Sequence, residues 1–155
     1  MSTDYWGPLT WTTLHCLTYN YPINPSKDFR KKTFYFFNYI IPSVLPCPKC
    51  QKHFLKQLRD NPISYHLGSR ENLCGWLIEI HNYVNRSNRK KNYSKDEIDQ
   101  IYENKIYIND IQKLIFFLRQ RVQYGSLSPN WYNQFMYYLN GLLLRNVPTN
   151  NCGQV

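Results

Sequence analysis

Apolar residues recur three or four positions apart along most of the chain, the spacing of one helix face. Between Trp6 and Tyr21 they fall at Trp6, Leu9, Trp11, Leu14 and Leu17, and Pro22 stops the pattern. Ser26, after Pro25, is a natural N-cap for a second helix through Phe34, Phe36, Phe37, Ile40 and Ile41, which Pro42 is expected to end. A third helix is expected to open at Pro46-Cys47-Pro48, since proline is well tolerated in a first helical turn, and to run to about Arg59 before Pro62. The fourth is the clearest, with Leu73, Trp76, Leu77, Ile80 and Val84 on one stripe. Ser94 followed by Glu97 is a capping-box pattern that opens a short fifth helix.

Beyond Lys105, Ile108, Ile111, Leu114, Ile115, Leu118 and Val122 mark another amphipathic helix. Gly125 to Pro129 is a turn with a serine cap, and Trp131 to Leu144 reads as a last helix before a polar tail from Pro148. Strand alternation is scarce. The expected fold is therefore all-α: a four-helix bundle with a short fifth helix over residues 1–104, and a C-terminal helical extension over 105–155.

Composition narrows the function classes. The chain has 155 residues, and 43% are hydrophobic, which is enough for a real core and excludes disorder as the main state. No apolar run approaches the roughly 18 residues of a membrane span, and no basic-then-apolar leader opens the chain, so a cytoplasmic protein is expected. The formal charge is +9, but the cations are scattered over several helices and match no nucleic-acid fold pattern. Five cysteines are too few and too irregular for a secreted disulfide scaffold.

Three local patterns carry chemistry. In Pro46-Cys47-Pro48-Lys49-Cys50, two thiols three residues apart at a helix start can close a small disulfide. The helix dipole, free N–H groups and Lys49 all favour the thiolate there. Zinc sites use the same spacing, and Cys47, Cys50, His53 and Cys74 would make a Cys3His set, so a zinc-stabilised Cys/His binding module is the competing reading. On the fourth helix, His81 and Asn85 are four apart and share a face, which suits a planar polar ligand as well as a partly buried helix position. Arg86, Arg89, Lys90 and Lys91 follow, either as a solvated helix end or as a clamp on phosphates. On the first helix, Trp11 and His15 are again four apart, and a histidine inside an aromatic core stripe needs a polar partner.

Together these patterns resemble the FAD-linked sulfhydryl oxidases of the Erv/ALR type. The family order is Trp-x-x-Leu-His, Tyr-Pro, Pro-Cys-x-x-Cys, Trp, His-Asn-x-Val-Asn, then a lysine and an aromatic. This chain offers Trp11, Leu14 and His15; Tyr21 and Pro22; Pro46, Cys47 and Cys50; Trp76; His81, Asn82, Val84 and Asn85; then Lys90 and Tyr93. The resemblance covers about residues 5 to 104. It implies a helical bundle holding FAD non-covalently, with Cys47 as the outer sulfur that exchanges with substrate and Cys50 beside the flavin. It also implies that Gly7, Trp11, His15, Tyr21, Cys50, His81, Asn82, Val84, Asn85, Lys90 and Tyr93 line the cofactor, with no metal. The implied substrates are protein dithiols, of thioredoxin-like or virion proteins, and dioxygen, which becomes hydrogen peroxide. A homodimer without nucleic acid or a membrane span is implied as well, and a host-cytoplasm or virion setting if the source is a large DNA virus.

The chain departs from the pattern in places. Many members have Gly-Arg where this chain has Gly7-Pro8. Many also brace the fourth helix to the fifth with a disulfide, where this chain has Ile78 and the cysteine-free Ser94-Lys95 segment. Cys16 and Cys74 read as buried thiols or as a pair, and Cys152 stands alone in the tail. Pro8 and the missing brace also raise the reading of an inactive scaffolding relative, which an intact Cys47 and Cys50 argue against.

Overall fold

The computed structural model describes residues 2–144, so Cys152 and the tail from Pro148 lie outside the described residues. All regular structure among them is helical. The order is α1 (Thr3–Tyr19), α2 (Lys27–Tyr35), a π-helical segment (Phe36–Ile40), α3 (Ile41–Val44), α4 (Pro48–Asp60), a 3₁₀ turn (Ile63–Tyr65), α5 (Arg70–Ser87), α6 (Lys95–Tyr102), α7 (Ile108–Gln123) and α8 (Pro129–Leu142).

The expected caps form. The hydroxyls of Ser26 and Ser128 accept N–H bonds from Phe29 and Asn130, and Ser69, not singled out from the sequence, caps α5 by accepting from Asn72. Ser94 and Glu97 close both halves of the capping box on α6. α1 starts three residues earlier than its apolar stripe and carries Pro8 inside it. Its buried hydroxyls stay satisfied by bonding back along the helix, Thr13 to the Leu9 carbonyl and Thr18 to that of His15.

One expectation fails at Pro42, which does not end the second helix. A proline in an α-helix removes an N–H and crowds the carbonyl four residues back. Here the chain widens into a π turn just before it, with the Ile41 N–H on the Phe36 carbonyl, and then continues helically through Val44. The wide turn keeps Phe36, Phe37, Ile40 and Ile41 all in the core. Phe37 meets Trp76 of α5 edge-on at 5.2 Å, and Phe36 packs on Phe135 of α8.

The C-terminal hairpin covers the bundle rather than standing apart. α7 lies along α1, and α8 packs against α2, the π segment and α3. Phe117 meets Tyr5 edge-on, and Tyr35 donates to Gln134. Arg121 donates to the Val44 carbonyl at 2.5 Å and to that of Ser126, which ties α7 to the chain just before the Cys-x-x-Cys. Burying phenylalanines such as Phe117 and Phe135 is worth about 1.5–3 kcal/mol each, so the hairpin has ample reason to dock.

Candidate functional site

Cys47 is the N-cap of α4, and its sulfur accepts the Cys50 N–H at 3.2 Å. The reduced pair is asymmetric. A hydrogen bond from the Cys50 thiol, followed by backbone N–H groups and Lys49, holds the Cys47 thiol below the usual range. Burial first, and then the same hydrogen bond, push Cys50 up to about 11. Of the two thiols, Cys47 therefore gives up its proton first and Cys50 keeps its own. In the reduced protein, iodoacetamide is expected to label Cys47 at lower pH than Cys50, which reacts only near pH 11; peptide mapping over a pH series checks this, and one shared pH profile for both would remove the asymmetry.

A second cluster joins α1, α5 and α6. The Trp11 indole stacks on the His81 imidazole, with centroids 3.9 Å apart and planes 8° off parallel. Tyr102 stacks on His15 at 4.9 Å. His15 Nε2 and His81 Nδ1 are 2.9 Å apart, so one of them donates to the other. His15 is completely buried, and its Nδ1 has no hydrogen-bond partner among the described residues. An unpaired buried N–H costs more than an unpaired acceptor. We therefore assign the His15 proton to Nε2, donating to His81, which places the His81 proton on its outer nitrogen, Nε2.

Burial, and then the His81 charge, hold His15 down to about 3; burial, and then Lys90, hold His81 down to about 4. Both rings are neutral in the folded protein at pH 7, whereas in the unfolded chain they take up protons as the pH falls through 6.5. The unfolded state then binds more protons, so stability is full above pH 6.5 and drains away toward pH 3–4. The thermal midpoint is expected to drop steadily across that window, and a midpoint that stays flat from pH 7 to 4 would contradict the neutral pair.

Around this cluster lie groups suited to a planar, anionic ligand. Asn85 is 6% exposed, and its side-chain amide has no partner among the described residues. The chain leaves α5 through Arg89, whose φ of 56° is left-handed, and the Lys90 N–H returns to the Asn85 carbonyl at 2.7 Å. That turn keeps the Lys90 ammonium close enough to act on His81. On the next face of α5, a cleft of about 300 Å³ opens between Gln57 of α4, Asn61 just after it, and Glu79, Tyr83 and Arg86 of α5. Trp76 donates to the Asn61 carbonyl, which ties the residue just after α4 to the first half of α5.

Residues 8–103 match the model of the Erv1 / Alr family, more than half of the chain. The chain belongs to that family. The probable FAD-linked sulfhydryl oxidase of Acanthamoeba polyphaga mimivirus is 41% identical over 92 residues, 59% of this chain and 64% of that protein. An FAD-linked sulfhydryl oxidase of African swine fever virus is 33% identical over 109 residues, 70% of this chain and 87% of that one. The solved FAD-binding domain of Erv1 from Saccharomyces cerevisiae superposes with a TM-score of 0.63 at 31% identity, over 67% of this chain and 96% of that one. The chain thus spans less than two thirds of the mimivirus relative's length, and α7 and α8 lie outside the family match.

Among the residues singled out from the sequence, Trp11, His15 and His81 come together directly, with Asn85 one turn beyond His81 on its face and Lys90 nearby. Others act as struts. Tyr21 is fully buried and donates to the Leu67 carbonyl, while Arg70 bonds its backbone carbonyl. Asn82 bonds both the N–H and the carbonyl of Tyr93, clamping the segment that follows α5. Val84 is half-buried, and a Cβ on Gly7 would make only an ordinary 3.4 Å contact with Thr3.

The α5–α6 connection that lacks a disulfide is held by that clamp, by the Lys91–Glu97 ion pair and by Tyr19 donating to Asp99. Tyr102 is the ring that sequence reading missed. It sits nine residues beyond Tyr93, and only its i, i+4 register with Ile98 marked it as inward-facing.

The zinc set does not assemble. No three His, Cys, Asp or Glu side chains gather as metal ligands among the described residues. Cys74 faces Thr18 and Lys95, and Cys16 faces Tyr107 and Asp110. The two are free, buried thiols with different neighbours; burial pushes both up, Cys74 to about 11. No described helix is long and apolar enough to cross a membrane.

Proposed function

We propose that the chain is an FAD-dependent sulfhydryl oxidase that forms disulfides in protein dithiols. The carrying observation is the stacked, neutral His–His–Trp cluster with an orphaned buried nitrogen, in a chain whose Cys47–Cys50 pair is polarised. The side chains fit FAD: flat rings at Trp11, His81 and Tyr102, an unpaired amide at Asn85, and cations at Arg86 and Lys90 for the pyrophosphate. The oxidase unit is residues 1–104, with 105–155 as its extension. The relatives' printed names support the cofactor and the reaction.

The chain's own part is thiol exchange. A substrate thiolate attacks Cys47 of the Cys47–Cys50 disulfide; the S–S bond breaks, and Cys50 leaves with the electron pair and takes a proton. The substrate's second thiolate then closes the substrate disulfide and expels Cys47. A stabilised thiolate leaves faster, so the lowered Cys47 suits it to be the outer sulfur. The two electrons rest on the Cys47/Cys50 dithiol. Bound FAD supplies the two-electron acceptor for that dithiol and the handover to dioxygen as hydrogen peroxide.

A host-cytoplasm or virion setting draws on the viral origin of two of the relatives, and a homodimer completes this reading. The test is oxygen uptake by FAD-loaded protein given a dithiol. One oxygen consumed and one peroxide formed per dithiol is the expected balance; no uptake above the protein-free rate would end the proposal.

A further inference from the structure

The chain holds ten acidic residues, yet none lies between Asp28 and Asp60. α4 falls in that gap, and its exposed face carries Lys49, Lys52, Lys56 and Arg59. Steps of three, four and three residues keep these side chains within one arc of the helix, which turns by about 100° per residue. Among the described residues, Lys56 has Asp60 as an acidic partner, while Lys49, Lys52 and Arg59 form no ion pair. The stripe starts at the helix end capped by Cys47. At about 1.5 Å per residue it runs about 15 Å, the length of roughly five residues of extended chain.

We infer that this stripe is the substrate-docking surface, and that it selects polypeptides with Asp or Glu within about five positions of the reacting cysteine. Such a segment lies along α4 with its thiol at Cys47. The inference rests on the oxidase reading above. Nucleic acid shares the charge but brings no thiol to the reactive sulfur at the head of the stripe. Single exposed ion pairs are weak, and they are screened beyond about 8 Å at physiological salt. The effect therefore belongs to the row of charges, and it shows in the encounter rate and partner choice.

The experiment compares dithiol peptides of one length on FAD-loaded protein: acids next to the cysteines, acids about ten residues away, and lysines next to the cysteines. Dithiothreitol serves as the uncharged reference. At about 50 mM salt, kcat/KM for the adjacent-acid peptide is expected to exceed the lysine peptide's by roughly tenfold or more. At 0.5 M salt the gap should close, and moving the acids away should also remove it. Lys52→Glu with Arg59→Glu should invert the preference, whereas Lys27→Glu with Lys31→Glu on α2 makes the same change in net charge and should preserve it.

Oxidation of dithiothreitol with equal peptide rates would overturn the docking surface and leave the oxidase standing. Equal loss from the α2 and α4 reversals would also overturn it, since net charge alone would then explain the preference. A protein that does not oxidise dithiothreitol loses both readings.

Discussion

Cys50→Ser protein is expected to bind FAD as the unaltered chain does and to lose dithiol-driven oxygen uptake by about a thousandfold or more. The serine keeps a hydroxyl where the Cys50 thiol donated to Cys47, so the largest cause of the raised Cys47 acidity survives. Cys47 therefore stays reactive and should capture a disulfide probe such as DTNB as a stable mixed disulfide. What disappears is the internal partner. Without it no Cys47–Cys50 bond can form, and electrons from substrate have no place to collect. The measurements are the flavin content of the purified variant, its oxygen uptake with dithiothreitol, and the mass of the trapped adduct. Turnover within a few-fold of the unaltered protein would remove Cys50 from the electron path.

The second large effect is expected at His81. His81→Ala removes the ring stacked 3.9 Å from Trp11 and the hydrogen-bond partner of His15. One ring lost from the flavin's stacking surface, at about 0.5–1.5 kcal/mol, puts the expected fall in FAD affinity at about 2- to 10-fold. The fold pays as well, because His15 would then have no partner at either nitrogen in a fully buried site, at about 1–3 kcal/mol. His81→Phe separates the two contributions, since it keeps a ring for Trp11 and gives His15 nothing. Titration of the stripped variants with FAD, followed by flavin fluorescence, reads the affinities. Unchanged affinity in His81→Ala would take His81 out of the cofactor site.

Much of this site was legible because helical periodicity is a strong signal. Trp11 with His15, and His81 with Asn85, share faces at a spacing of four, and the fold brings Trp11, His15 and His81 into direct contact. What could not be read was the partner across space. Asn82 sits inside the family motif yet spends its amide on the Tyr93 backbone, and Tyr21 spends its hydroxyl on Leu67. Tyr102 closes the ring cluster from a helix that lies beyond the matched residues quoted from the sequence.

The helix pattern misled at one point, Pro42. Proline ends α-helices by a local rule, but four large apolar residues around it gain more by staying in one continuous core. A π turn reconciles the two demands, and nothing local in the sequence announces it.

The central claim is that this cluster holds FAD and that the Cys47–Cys50 pair feeds it. The visible absorbance of the purified protein, recorded before and after adding dithiothreitol in air, tests both halves at once. The expected protein is yellow, and its flavin band bleaches when dithiol outruns oxygen and recovers once the dithiol is spent, with peroxide accumulating. A colourless protein that takes up no added FAD would remove the cofactor site.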